Sequence, residues 1–552
     1  MQLSYLGIKK NYGSWDDISD SFFMEDTKII QSQLKYLLTS IHPDSLNAQG
    51  KISYKLFKYN CEQRIAGQKY LYYNYVVNQE DGLHAEVPTF LMNVHRIDSL
   101  QDAKDYISRL EKVNSLFQQL IVKIQVRASK GILTPKFVFP KVITSCKNVL
   151  KGKPFDQSKE DCDILADFNT KIDKLKLKPE LKKELQAQAN KALLNSVKPA
   201  YENLIASLEK LELQATNDAG AWKFPDGDNF YKEQVKEMTT TDMTPEQIFN
   251  LGEKEVARIH AEIHQIMKKL HYKNDNLSEF LHFMSTDKSS FYTNSEADKL
   301  KFLHQAEGYI DHMRNRLDEI FITKPKAPIV VKRVEAFREK STGQAFYDQP
   351  APDGSRPGRF YVNLSDMSAI PVYQLEALAY HEGIPGHHMQ IAIAQELKDV
   401  PKFRRYGEYT AYVEGWGLYT ERLGKEMNLY QDPVQDFGRL SMELLRAARL
   451  VVDPGIHYKH WTREQAIKYF EENTAEPPGE CIKAIERYII WPGQATAYKV
   501  GMNKILELRE KAKNALGTKF NIREFHDVVL TSGAVPLGVL EALTDDYIKS
   551  KK

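Results

Sequence analysis

The sequence predicts a mainly α-helical, two-lobed protein with a small β-sheet just ahead of the helix that carries its most chemically loaded segment. Three observations predict this. Stretches such as Leu177 to Leu213 and Thr244 to Leu270 mix Leu, Ala, Ile, Glu and Lys at helical spacing with few breakers. The helical texture is interrupted at length from Lys324 to Pro371, a segment rich in Pro and in short β-branched runs. The chain of 552 residues is long enough to build more than one lobe.

Taken in order, residues 1–230 read as a helical N-terminal half, ending near the turn Pro225-Asp226-Gly227. Residues 231–552 read as the half that bears the chemistry. It opens with Thr244-Pro245-Glu246, a helix start with a capping hydroxyl and a proline in the first turn. The interrupted segment contains Pro325, Pro328, Ile329-Val330-Val331 and the loop Pro350-Ala351-Pro352-Asp353-Gly354. It closes on Arg359-Phe360-Tyr361-Val362-Asn363-Leu364, whose alternation predicts a strand with Phe360, Val362 and Leu364 on one side. Such a strand could pair its edge with an extended peptide, unless another part of the protein covers it. Pro371 to Tyr380 then reads as a helix, with Leu375, Leu378 and Ala379 apolar and Glu376 either exposed or beside a ligand.

Composition excludes several classes. The 76 basic and 74 acidic residues leave a net charge of +2, which gives no electrostatic footprint for nucleic acid. No apolar run reaches the roughly 18 residues of a membrane span. The N-terminus lacks the apolar core and cleavage site of a signal peptide, so the chain as sequenced reads as cytoplasmic. A trimmed leader would make it periplasmic or lipid-anchored. Cys61, Cys146, Cys162 and Cys481 are too scattered for a disulfide framework, although Cys146 and Cys162 flank a loop-like stretch and are candidates for pairing. Oligomeric state is not legible.

The segment His381-Glu382-Gly383-Ile384-Pro385-Gly386-His387-His388 carries the chemistry. In the motif H-E-x-x-H, two histidines four apart on a helix bind zinc and the Glu serves as general base. Here Pro385 occupies the second ligand's place. On an ideal helix His387 would sit about 600° round from His381, nearly opposite, and His388 about 10 Å further along. Neither fits one tetrahedral ion with His381, given zinc–nitrogen distances of about 2.0–2.1 Å. Proline removes a backbone donor and crowds the carbonyl of residue 381, and two glycines add freedom to bulge. The expectation is a distorted turn that brings His387 beside His381. The plainer alternative is a surface turn with clustered histidines and no metal.

A catalytic zinc takes three protein ligands and leaves a position for water. The third is sought in Tyr409-Thr410-Ala411-Tyr412-Val413-Glu414-Gly415-Trp416-Gly417-Leu418-Tyr419-Thr420-Glu421, an apolar, aromatic helix with two acids. Glu414 stands among Tyr412, Val413 and Trp416, where an unpaired carboxylate is expensive to bury. Glu421, seven positions on and nearly on the same face, is a rival ligand or the partner behind a ligand histidine. Either acid could instead pair with Arg404, Arg405 or Arg422.

These motifs resemble the bacterial family known as domain of unknown function 885, placed among the gluzincin-type metallopeptidases. The resemblance spans most of the chain. It includes Val77-Asn78-Gln79, Gly82-Leu83-His84, Pro88, Asp102-Ala103-Lys104-Asp105-Tyr106, Pro199-Ala200-Tyr201, Leu251-Gly252 and Glu255-Val256-Ala257-Arg258. Its most specific pieces are Tyr380 to His388, Glu414-Gly415-Trp416-Gly417-Leu418-Tyr419 and Arg487-Tyr488-Ile489-Ile490-Trp491-Pro492-Gly493-Gln494-Ala495. It implies a mostly helical protein with a deep cleft, one zinc ion held by His381, His387 and Glu414, and Glu382 as base.

Arg487-Tyr488 is similar to the Arg-Tyr pair of helical carboxydipeptidases of the angiotensin-converting type, whose tyrosine hydroxyl donates to the oxyanion. That likeness makes Tyr488 a candidate oxyanion donor, with Tyr498 and His457 as alternatives to it. Arg359, Arg487 and Lys499 are candidates to hold a substrate carboxylate, and Tyr361 lies on the strand offered to a peptide. The expected activity is hydrolysis of peptide bonds in short peptides, of the carboxypeptidase, dipeptidase or oligopeptidase type. The rivals are a non-catalytic peptide-binding protein with a structural or vestigial metal, and a non-peptide amidase.

Overall fold

The computed structural model describes residues 1–5, 7–334, 343–351, 354, 356–368 and 370–552, so Pro352 and Asp353 of the expected loop lie outside the described residues. The chain is mainly helical and divides into two compact units. One comprises residues 1–36, 61–218 and 223–225, and the other residues 37–60, 219–222 and 226–552.

The first unit is built on a long helix, α1 (Leu100–Ser129), capped where the Ser99 side chain accepts from the Asp102 amide. Its apolar stripe, Val113, Leu116, Phe117 and Leu120, is buried. The helical run expected from Leu177 to Leu213 is broken by a widened turn at Leu193–Val197 before α2 (Lys198–Glu212). Pro199 has no amide hydrogen to give back up that helix, and a wider turn accommodates the loss. Tyr201 of α2 packs against Phe117, the ring centroids 4.8 Å apart and the planes inclined at 52°, and donates to the His84 carbonyl at 2.6 Å. Cys146 and Cys162 are both buried and free, so the candidate pairing is not formed. They behave as small apolar side chains.

The second unit begins its core with α3 (Pro245–Lys269), where Thr244 and Gln247 form a capping box. After α4 (Glu296–Arg316) come β1 (Ile329–Arg333), β2 (Ala345–Asp348) and β3 (Gly358–Val362). The sheet order is β1-β3-β2, with β3 parallel to β1 and antiparallel to β2. The strand expected to offer an edge is therefore the central one, and both its sides are taken. Phe360, Val362 and Leu364 are fully buried, as their alternation predicts.

Beyond the sheet lie α5 (Leu375–Glu382), α6 (His387–Glu396), α7 (Thr410–Glu426), α8 (Pro433–His457), α9 (Pro478–Ile490), α10 (Ala497–Leu516) and α11 (Ile522–Leu530). Helix α8 packs along α3, and α7 packs along both α10 and α5. A buried ion network ties α3, α8 and α10: Lys499 reaches Glu443 at 2.5 Å and Glu255 at 3.0 Å, Arg258 also pairs with Glu443, and Arg439 holds Asp436 and Glu443. Among the described residues no helix is long and apolar enough to cross a membrane.

Candidate metal centre

Helix α5 ends one residue after His381, and the reason is local. Its last backbone bond at this end runs from the Gly383 amide to the Ala379 carbonyl, at 2.9 Å. Pro385 cannot continue the pattern. Gly386 then passes over the end of α5 so closely that a Cβ there would lie 1.9 Å from the His381 carbonyl oxygen and 2.3 Å from that of Tyr380. Only glycine fits such an approach. The buried Trp416 donates its indole N–H to the Pro385 carbonyl at 2.9 Å and fixes the turn. His387 thereby starts α6 beside His381, the two rings 4.7 Å apart and nearly perpendicular at 88°.

Helix α7 supplies the other side. A Cβ on Gly417 would stand 2.8 Å from both Cε1 and Nε2 of His381, so this glycine sets how closely α7 meets the imidazole. Glu414 Oε2 lies 3.5 Å from His381 Nε2 and 3.6 Å from His387 Nε2. Donor atoms of His381, Glu382 and His387 all fall within 4.8 Å of one another. Glu421 Oε1 accepts from His381 Nδ1 at 2.7 Å, which leaves Nε2 with its lone pair toward Glu414.

These spacings fit a tetrahedral divalent ion. Donors on zinc at about 2.0–2.1 Å stand about 3.3 Å apart, close to the 3.5 and 3.6 Å found, whereas a charge-assisted hydrogen bond would draw the pairs to about 2.8 Å. Charge points the same way, since Glu382, Glu414 and Glu421 surround two imidazoles. Burial opposes it, yet Glu414, Glu421 and Glu382 push His381 up to about 10. Burial likewise works against charge on Glu414, but the two histidines hold it well below the carboxylate range. The pocket calls for positive charge, as imidazolium or as a bound cation.

Neither acid pairs with the arginines weighed as alternatives. Arg404 donates to Gln49 and to the Ser532 carbonyl, Arg405 to the Gln395 carbonyl, and Arg422 to Glu426. His388 turns away: its Nε2 donates to the Ala327 carbonyl at 3.0 Å and its Nδ1 accepts from the Tyr347 hydroxyl at 2.9 Å, and burial lowers it to about 4. It pins α6 to the sheet region as a neutral ring. Glu376 is buried rather than exposed, accepting from the Tyr380 hydroxyl at 2.7 Å.

The remaining sequence-derived residues fall into two groups. Tyr488 and Tyr498 both meet Arg449, whose Nε donates to the Tyr488 hydroxyl at 2.7 Å and whose guanidinium lies 4.7 Å from the Tyr498 ring. Burial opposes the charge on Arg449, and Tyr488, Tyr498 and Glu414 favour it, so this corner adjoins the His–Glu cluster. Arg487 lies over Trp491 and reaches Gln494 at 3.4 Å. The others are committed elsewhere. His457 is fully buried, its Nδ1 accepting from the Ala221 amide and its Nε2 donating to the Tyr488 carbonyl, so neither ring nitrogen is left for a substrate. Lys499 is 1% exposed inside the ion network. Arg359 donates to the Tyr361 hydroxyl at 3.0 Å, and Tyr361 stacks on Phe346 within the sheet.

Arg449 was not singled out by sequence reasoning. A signal was there: it is a lone cation in the apolar run Ala447-Ala448-Arg449-Leu450-Val451-Val452.

The comparisons with known proteins agree with this architecture. The structure described as that of the putative lipoprotein from Colwellia psychrerythraea superposes with a TM-score of 0.92 at 32% identity, covering 100% of this chain and 96% of that one. A putative lipoprotein of unknown function from Shewanella oneidensis gives a TM-score of 0.74 at 18% identity, over 98% and 95% of the two chains, and shares the fold. No curated protein matches. Residues 1–543 match the family described as "Bacterial protein of unknown function (DUF885)", and the chain belongs to that family.

Proposed function

We propose that this chain is a zinc-dependent hydrolase of peptide bonds in short peptides, with His381, His387 and Glu414 as metal ligands and Glu382 as general base. The observation that carries the reading is the convergence of both histidine Nε2 atoms on Glu414 at 3.5 and 3.6 Å, with Glu421 behind His381 at 2.7 Å. When bound, zinc supplies Lewis acidity and a water pKa lowered toward about 7. Glu382, 9% exposed, accepts the water proton at a carboxylate oxygen and passes it to the leaving amine. Glu421 keeps the His381 N–H on Nδ1 and so keeps Nε2 available. Tyr488 receives a hydrogen bond from Arg449, which leaves its own O–H proton to donate to a developing oxyanion, with Tyr498 as the second donor. The gluzincin-type placement and a cleft that admits short, unfolded peptides are part of this reading. The lipoprotein descriptions of the two relatives support a periplasmic or lipid-anchored location.

One observation favours a second reading. Glu382 stands within 4.8 Å of both histidines, so with Glu414 it can complete a four-residue shell. A closed shell is the mark of a structural metal in a binding protein. The two readings separate in one experiment: digestion of a peptide library followed by mass spectrometry, with chelator and zinc-readdition controls, for the wild type and Glu382→Gln. Hydrolysis is expected for the wild type alone, with zinc retained in both. No cleavage by zinc-loaded wild type, or full cleavage by Glu382→Gln, would remove the catalytic role given to Glu382.

A further inference from the structure

Several cations in the core of the second unit are paired, whereas the buried Arg404 is held by the neutral Gln49 and the Ser532 carbonyl. Lys499, Arg258 and Arg439 are neutralised by Glu255, Glu443 and Asp436. The corner beside the candidate metal centre gathers three cations without such a pair. Arg446 and Arg449, three residues apart on α8, and Arg487 on α9 form no ion pair among the described residues. Arg449 is 9% exposed and makes its bond to a neutral phenol, the Tyr488 hydroxyl. Nε of Arg446 and Nε of Arg487 are buried without a hydrogen-bond partner.

The three belong to one cluster. Arg449 and Arg487 both act on Tyr488, and Arg446 and Arg449 both act on Glu476. Gln494 bridges Arg487 at 3.4 Å to the Tyr498 hydroxyl at 3.5 Å, and Tyr498 lies under Arg449. Two carboxylates act on this group: Glu476, which burial raises despite Arg446 and Arg449, and Glu414, which favours the charge on Arg449 and is itself held by the two histidines. Three guanidinium groups against Glu476 and a Glu414 already engaged by His381 and His387 leave an excess of positive charge around the buried Arg449, which is unfavourable unless an anion arrives. Arginine's planar fork matches a carboxylate better than a point charge does.

We propose that Arg449, supported by Arg446 and Arg487, binds the free α-carboxylate of the substrate, so that the preferred ligands are peptides with an unblocked C-terminus. The inference deepens the hydrolase reading, which supplies the peptide, but the anion site itself stands on the unpaired arginines.

Binding without turnover tests it. Zinc-loaded Glu382→Gln full-length protein is titrated calorimetrically with N-acetyl-trialanine and with its C-terminal amide. The free acid is expected to bind at least about tenfold more tightly, a difference of about 1.4 kcal/mol. Arg449→Lys, Arg446→Gln and Arg487→Gln, each placed in the same background and checked for zinc content and circular dichroism, should weaken the acid more than the amide and so erode that difference. Equal binding of acid and amide, or arginine variants that weaken both equally, would overturn the proposal and leave the arginines as supports for Tyr488. Acetate competing as well as the peptide acid would overturn it too, since the corner would then recognise a simple anion. Acid preference together with no hydrolysis by the wild type would keep this site and reject the hydrolase. Hydrolysis with no acid preference would do the reverse.

Discussion

Substituting Gly417 by alanine probes the metal centre without touching any ligand. The new Cβ would sit 2.8 Å from Cε1 and Nε2 of His381 and 3.1 Å from Cδ2. Carbon atoms rest about 3.5–4.0 Å apart, so the ring must retreat by about 0.7 Å or α7 must move away. The ring cannot retreat freely, because its Nδ1 is tied to Glu421 at 2.7 Å. Metal–ligand lengths tolerate only about 0.2 Å, so a displacement of this size detaches or strains the ligand. Disturbing the support of a ligand histidine typically weakens metal binding about 10–100-fold, or about 1.4–2.7 kcal/mol. Overpacking adds about 1–3 kcal/mol of fold destabilisation. The assay is zinc competition against a chromophoric chelator, with calorimetric unfolding to confirm a folded protein. Gly308→Ala serves as the control, since a Cβ there meets nothing within 4 Å. A folded Gly417→Ala with wild-type zinc affinity would refute the placement of His381 on the metal.

Three further outcomes are expected. Glu421→Ala removes the acceptor behind His381 and should lower zinc affinity about 10–100-fold in the same competition assay, with Glu421→Gln less affected because it still accepts from Nδ1. Glu443→Gln removes the charge shared by Lys499, Arg258 and Arg439 in a buried site and should destabilise the fold by about 3–5 kcal/mol in denaturant titration. His526 donates to the Ile320 carbonyl, accepts from the Tyr419 hydroxyl, and is lowered by burial from 6.5 to about 3. Its contribution is therefore intact above about pH 6.5 and is lost as pH falls toward about 3, because the unfolded chain takes up a proton that the folded one refuses. Between pH 7 and 5 that amounts to about 2 kcal/mol, and His526→Gln should show a correspondingly flatter stability profile across that range.

Much of the fold and part of the site were legible in the sequence, for reasons that particular residues make plain. Helical spacing and the Thr244-Pro245-Glu246 start announce α3 because those signals are local. The turn between His381 and His387 is also local: Pro385 cannot sit in a helix interior, and the flanking glycines mark a tight passage. Glu414 and Glu421 share a face of α7, so the two acids were visible, but the sequence leaves open whether Glu421 rivals Glu414 or stands behind a ligand histidine. That depends on how α7 meets α5 across some forty residues of chain, with one acid toward Nε2 and the other on Nδ1 of a single ring. The central position of β3 depends on partners supplied by residues 329–333 and 345–348, pairings that alternation alone does not encode. Lys499 and His457 look in the sequence like available polar groups, and only tertiary packing reveals that Glu443, Ala221 and the Tyr488 carbonyl already occupy them. Arg449 failed to stand out because a lone arginine in a helix is ordinarily solvated, and this one is enclosed by two tyrosines.

The claim at the centre of this reading is that His381, His387 and Glu414 hold one zinc ion. The most direct measurement is an anomalous difference map recorded on either side of the zinc absorption edge from crystals of the protein purified without chelator. One peak per chain is predicted, bounded by Nε2 of His381, Nε2 of His387 and Oε2 of Glu414, with Glu421 remaining on Nδ1 of His381. A zinc-replete crystal with no peak at these atoms, or with its peak at other side chains, would contradict it.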